Sequence, residues 1–294
     1  GPDNVNLQKS PSQDYYVEGS DITLTCSAES RPNAQFTWHL NGGLQSDTGP
    51  QFNLTTIQES QSGNYSCQAF NTKTLRYQSS QPAAVTVLET ISGASIISSS
   101  LLEFEGTSVN LTCDAAGSVF TREWMKDGSD LNISNDIILN DNNRVLTFNS
   151  LNKKDSGHYS CTLSNPFSND EAEYFIDVIY GPQNVRITGP SVIHLKENLT
   201  LTCSAESTPS ATSYMWMLNG TKIHNSAVLT KHNIELSDGG NYVCLALNFA
   251  NWGISSAEHE LSVTERTSGG LSAGAIAGIV IACFVVASAG AVVG

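Results

Sequence analysis

A chain of 294 residues is long enough for two or three domains of roughly 100–150 residues each. Acidic residues outnumber basic ones 28 to 14, giving a formal net charge of −14. So acidic a chain, with no lysine or arginine cluster, repels phosphate backbones, and nucleic acid is excluded as a partner.

In chain order, each third repeats one plan. Ile22, Leu24 and Cys26 alternate with polar residues, Trp38 follows, Asn41-Gly42 stands just beyond it, and Tyr65 precedes Cys67 by two residues. The second third repeats this as Val109, Leu111, Cys113, Trp124, Asp127-Gly128, Tyr159 and Cys161. The last does so as Leu199, Leu201, Cys203, Trp216, Asn219-Gly220, Tyr242 and Cys244. Alternation with period 2 marks a strand with one buried face. Asn-Gly and Asp-Gly favour left-handed turn dihedrals, so each tryptophan strand should fold straight back.

The cysteine pairs Cys26/Cys67, Cys113/Cys161 and Cys203/Cys244 are 41, 48 and 41 positions apart, and no C-x-x-C metal pair occurs. Three long-range pairs read as three disulfides, which places the chain in an oxidising, extracellular compartment. The seventh, Cys283, lies in the apolar tail without a partner.

A tryptophan facing a disulfide, with a tyrosine at the corner before the second cysteine, defines the immunoglobulin sandwich. The motif D-x-G-x-Y-x-C is complete in Asp155–Cys161 and Asp238–Cys244, while Gln61 replaces the aspartate in the first domain. The expected fold is all-β: three tandem immunoglobulin-like sandwiches of C2 or I type, then one C-terminal membrane helix. The cysteine spacing leaves no room for the added C′ and C″ strands of a variable-type domain. Lys231 aligns with Leu54 and Phe148, which predicts a shorter or shifted strand E in the third domain. Boundaries fall at 1–89, 90–180 and 181–265, with a linker over 266–270 and a membrane segment over 271–294. Thr23–Ser30 recurs as Thr200–Ser207 but not in the middle domain, an A–B–A order.

Six N-x-S/T sequons begin at Asn53, Asn64, Asn110, Asn132, Asn198 and Asn219. Asn64, Asn110 and Asn198 lie an odd number of positions before a cysteine, so on a strand they face solvent, as N-glycans require.

The stretches Ala34–Gly42 and Gln61–Ala69, the junction Tyr180-Gly181-Pro182 and the tail Gly270–Ile281 resemble the carcinoembryonic-antigen-related cell adhesion molecule family over the whole chain. That resemblance implies an adhesion protein whose principal adhesive domain, variable-like and without a disulfide, lies outside this sequence. The chain would then begin at a domain junction.

Leu271 to Val293 is 23 residues without a charge, about 35 Å as a helix against a hydrocarbon core of ~30 Å. A transmembrane helix and a glycolipid-anchor signal both fit, the former favoured. Gly270, Gly274 and Gly278 recur at the four-residue step of a helix-association face.

No constellation of nucleophile, base and orienting group occurs, and no cofactor, metal site or enzymatic activity is expected. Asn140–Asn143 reads as a polar turn rather than a calcium loop. A binding face is expected on the third domain, where the strand neighbours of Trp216 and Cys244 are Met215, Met217, Val243 and Leu245, with Trp252 nearby. The matching positions are polar in the first domain (Thr37, His39, Ser66, Gln68) and mostly so in the second (Glu123, Met125, Ser160, Thr162). The sequence thus points to a plasma-membrane adhesion or recognition glycoprotein whose partners are other cell-surface proteins, including further copies of itself. The alternatives are the ectodomain of a larger signalling receptor and a passive stalk.

Overall fold

The computed structural model describes residues 1–210 and 212–266. Three separate apolar cores are present, each drawn from its own third of the chain and each containing a tryptophan, a cystine and a tyrosine. Gly1–Val178, with the first two sandwiches, forms one compact unit, and the described residues from Ile179 onward form the second.

The strands take the usual immunoglobulin letters. In the first domain A (Asp3–Ser10), B (Ile22–Glu29) and E (Gln51–Leu54) make one sheet. C′ (Gly43–Thr48), C (Gln35–Leu40), F (Gly63–Asn71) and G (Arg76–Ser79 with Ala83–Val85) make the other. The second domain sets A (Ser92–Ser98), B (Val109–Ala116), E (Val145–Phe148) and D (Ile137–Asn140) against C′ (Ser129–Asp130), C (Thr121–Lys126), F (Gly157–Ser164) and G (Asn169–Ile176). In the third, A (Tyr180–Thr188), B (Leu199–Thr208) and E (Val228–Lys231) oppose A′ (Val192–His194), G (Gly253–Thr264), F (Gly240–Asn248), C (Thr212–Leu218) and C′ (Thr221–His224).

Two expectations need correction. A C′ strand exists in every domain, although the cysteine spacing was read as leaving no room for it. Room is made in the first and third domains by passing from C′ to E with no D strand between them, and in the second by a C′ of two residues. Nor is strand E of the third domain shorter or shifted. Lys231 pairs with Leu199 as Leu54 pairs with Ile22 and Phe148 with Val109. What changes is the side chain: Leu54 and Phe148 are buried, whereas Lys231 is half-exposed and reaches the buried carboxylate of Asp238.

That pair has a pH signature. Burial alone would raise the Asp238 carboxyl, but the Glu235 N–H and the Lys231 ammonium outweigh it and hold the group below the ordinary aspartate value. A carboxyl depressed in the folded state stabilises above its unfolded value, near 3.9, and the contribution is lost as pH falls through the folded value. Lys231→Leu with Asp238→Gln restores the Leu54/Gln61 pairing of the first domain. The third domain of the double variant should lose less stability below pH ~4 than the parent. Thermal melts at pH 7 and pH 3 check this; equal acid sensitivity would show that the pair is not responsible. Lys231→Leu alone leaves the buried carboxylate without its ammonium and should cost about 1–3 kcal/mol at neutral pH.

Local hydrogen bonds account for the repeated motif. Each tryptophan Nε1 donates to a backbone carbonyl on the crossing segment: Trp38 to Gly49 at 3.0 Å, Trp124 to Asn143 at 2.7 Å and Trp216 to Ser226 at 2.9 Å. The tyrosine hydroxyls donate to the carbonyls of Gln61, Asp155 and Asp238 at 2.7–2.8 Å. Asn219 sits in the C–C′ turn and accepts the Asn241 N–H at 3.0 Å, lying flat across Gly240. A Cβ on Gly240 would stand 2.4 Å from the Asn219 side chain, and φ there is +139°, so both space and backbone require glycine.

Candidate contact face on the third domain

The outward face of the third domain's C′–C–F–G sheet follows from strand alternation. Tyr242, Cys244, Ala246 and Asn248 are buried, so Val243, Leu245 and Leu247 point the other way and are only half-buried. Met215 and Met217 are likewise half-buried on strand C, and Ile254 is 66% exposed on strand G. Antiparallel register sets these residues in rows across the sheet. One row runs Lys222, Met217, Val243, Glu258; the next Met215, Leu245, Ser256; the third Ser213, Leu247, Ile254. Beyond the third row the F–G turn carries Phe249 and Trp252, edge to face at 5.7 Å, with Trp252 73% exposed.

Four of the five residues expected on this face therefore lie together, in facing pairs Met215/Leu245 and Met217/Val243, and none is buried by its own domain. Trp252 stands on the turn above them. Leu247 and Ile254 enlarge the apolar area, and the alternation of strands F and G in sequence already carried that signal. The edges are charged. Lys222 is exposed on C′, while Glu258 and Glu260 are exposed on G, where Glu258 accepts the Asn241 Nδ2 at 3.1 Å.

The matching faces elsewhere differ. In the first domain Thr37, His39, Ser66 and Gln68 share the outward face of strands C and F with the exposed sequon asparagine Asn64. Towards its F–G end, Phe70 and Tyr77 stack at 4.4 Å, a pair that no motif in the sequence marks. In the second domain Glu123, Thr162 and Glu171 form one row and Met125, Ser160 and Glu173 the next, an acidic surface. No sequon lies on the third domain's C–F–G face. Asn198 is exposed beside strand B of the opposite sheet, and Asn219 occupies the tip of the C–C′ hairpin.

The remaining candidate residues are placed as follows. The cystines Cys26–Cys67, Cys113–Cys161 and Cys203–Cys244 have Cα separations of 6.3, 6.5 and 6.4 Å and are buried. Asn53, Asn110 and Asn132 are exposed. Asp141, Asn142 and Asn143 form a turn of left-handed residues, and the Asp141 carboxylate pairs with Arg144 at 3.4 Å. Among the described residues no group of acidic, histidine and cysteine side chains could hold a metal. A cleft of about 740 Å³ in the first domain is lined by Ser27, Asn33, Gln35 and Thr48 among others, with no ionisable side chain. Gly270, Gly274, Gly278, Cys283 and the whole proposed membrane segment lie outside the described residues, within which no helix is long and apolar enough to cross a membrane.

Immunoglobulin-domain family models match residues 4–87, 95–165 and 182–248. Hemicentin-1 of Mus musculus is 28% identical over 262 residues, 79% of this chain, and the chain spans 5% of that protein's length. A three-domain I-band fragment of titin superposes with a TM-score of 0.59 at 16% identity, covering 90% of this chain and 99% of the fragment. A structure of Dpr2 Ig1-Ig2 in complex with DIP-Theta Ig1-Ig3 gives 0.56 at 18% identity, covering 88% and 99%.

Proposed function

Because the chain belongs to the immunoglobulin superfamily, we propose that it is a cell-surface adhesion or recognition glycoprotein that works through protein–protein contacts. The observation that carries this reading is the third domain's outward C–F–G face. Six apolar side chains stand there side by side, clear of sequons, in a chain whose other C–F–G faces are polar, acidic or marked for a glycan. An apolar face bordered by charge on an otherwise polar module is the composition of a contact surface, and methionines suit one that adapts to its partner. The Dpr2–DIP-Theta structure is by its title a complex between immunoglobulin-domain proteins, which is the kind of contact proposed.

The carcinoembryonic-antigen type is the subfamily this reading favours, on the strength of the Ala34–Gly42 and Gln61–Ala69 stretches and the Tyr180-Gly181-Pro182 junction. Membrane attachment rests on the uncharged run from Leu271 to Val293, and glycosylation on exposed asparagines at the sequons.

The test presents the full chain to a panel of cell-surface ectodomains that includes the chain itself. At least one should bind, and Val243→Asp with Leu245→Lys should weaken that binding at least about thirtyfold, because two charges are forced into an apolar contact. Binding to none of the panel would overturn the proposal. Binding indifferent to the double substitution would remove the observation that carries it.

A further inference from the structure

The charges at the two edges of this face are not arranged symmetrically, and that asymmetry selects a partner. The row Lys222, Met217, Val243, Glu258 crosses four neighbouring strands, with a cation at the C′ edge, an anion at the G edge and two apolar residues between. At about 4.8 Å per strand the charges stand roughly 14 Å apart. Resting on the reading of this face as a contact surface, we propose that it takes a second copy of the same chain in parallel orientation. Lys222 of each copy then lies against Glu258 of the other, and Met217 against Val243.

Symmetry decides the orientation. Two identical faces can meet only about a two-fold axis lying in the plane between them. An axis parallel to the strands exchanges left and right, so the C′ edge of one copy meets the G edge of the other. Both ends of the row then find the opposite charge, and the apolar pair meets the apolar pair. An axis perpendicular to the strands keeps left and right, so lysine faces lysine and the acidic G edge, with Glu258 and Glu260, faces the G edge of the other copy. Like charges brought together at a contact are unfavourable, so the edge charges reject the antiparallel arrangement and favour the parallel one. The crossing angle of about 30° that sheet twist imposes shifts the edge residues by only a few ångströms, within reach of lysine and glutamate side chains.

Two further observations fit a second copy. Residues 179–266 carry five basic and seven acidic residues, whereas residues 90–178 carry five and thirteen, so self-repulsion is weakest where the pairing is placed. The nearby sequons lie at its margins, Asn198 on the opposite sheet and Asn219 at the tip of the C–C′ hairpin. Parallel pairing also directs both strands G, which end at Thr264, towards the same side. With sheets ~10 Å apart, the two chain exits would be roughly 17 Å apart, as two chains rooted in one surface require.

The face is small. Three rows across four strands cover roughly 400 Å² per copy, about half of the ~800 Å² per partner in a standard stable interface. Pairing is therefore expected between chains held on a common surface, where local concentration is high, and not between free chains.

The test uses cells displaying the full chain with Cys283→Ser, and a short thiol-reactive crosslinker that does not enter cells. One tagged version carries Lys222→Cys and another Glu258→Cys, both at exposed positions that leave the core intact. Co-expressed, they should give at least about tenfold more crosslinked pair than either alone, and Val243→Asp with Leu245→Lys should abolish it. Crosslinking of each version with itself would mean antiparallel contact, and no crosslinking would mean no self-contact; either result overturns the proposal. Binding to another ectodomain that depends on Val243 and Leu245 would leave the recognition reading standing while this one fails.

Discussion

Replacing both Cys203 and Cys244 by alanine should cost the third domain about 4 kcal/mol and lower its melting temperature by roughly 15–30 °C. The cystine closes a loop of 42 residues, counting both cysteines, in a domain whose described residues end at Arg266. Its main effect is on the unfolded chain, whose freedom the cross-link restricts, and that term grows with the logarithm of loop length. A second loss arises in the folded state. Both cysteines are at most 2% exposed and share one core with Trp216, Leu201 and Tyr242, so truncation leaves a cavity that this β-sandwich closes only in part. Against a typical domain stability of about 5–15 kcal/mol, such a loss leaves little. The transition of Gly1–Val178 should stay in place, because its cystines and cores are separate. Calorimetry of parent and variant checks both statements. A shift of only a few degrees, or an equal shift in both units, would show that the cystine does not carry the domain.

Much of this fold was legible because the motif residues are tied to backbone hydrogen bonds and not only to packing. A tryptophan that donates to a crossing carbonyl, a tyrosine that donates four residues back, and a glycine that no other residue can replace leave identical traces in all three domains. What escaped was decided by strand neighbours. Cysteine spacing counts residues but does not say whether they form a C′ strand or a D strand. With C′ discounted, Lys222 had no neighbour. Its place opposite Met217 follows at once from the two-residue turn at Asn219-Gly220, which pairs Leu218 with Thr221 and Met217 with Lys222. Leu247 and Ile254 were missed for a related reason, since the apolar stripe was followed only to the immediate neighbours of Trp216 and Cys244. Lys231 was misread because alignment shows a residue type and not its reach: the backbone kept its register, and a long side chain carried its charge to Asp238.

If the third domain's C–F–G face makes the contact, a glycan placed on it blocks binding. Leu245→Asn with Leu247→Thr creates a sequon around Ala246, in the middle of the face, at half-buried positions whose side chains point away from the core. Ser204→Asn with Glu206→Thr creates a matching sequon around Ala205 on the opposite sheet, at two exposed positions of strand B. Glycopeptide mass spectrometry establishes occupancy, and binding is then measured against the same ectodomain panel. A glycan on the face should abolish binding, and a glycan on the opposite sheet should leave it within about twofold of the parent. An occupied site among Val243, Leu245 and Leu247 with binding intact would contradict the account.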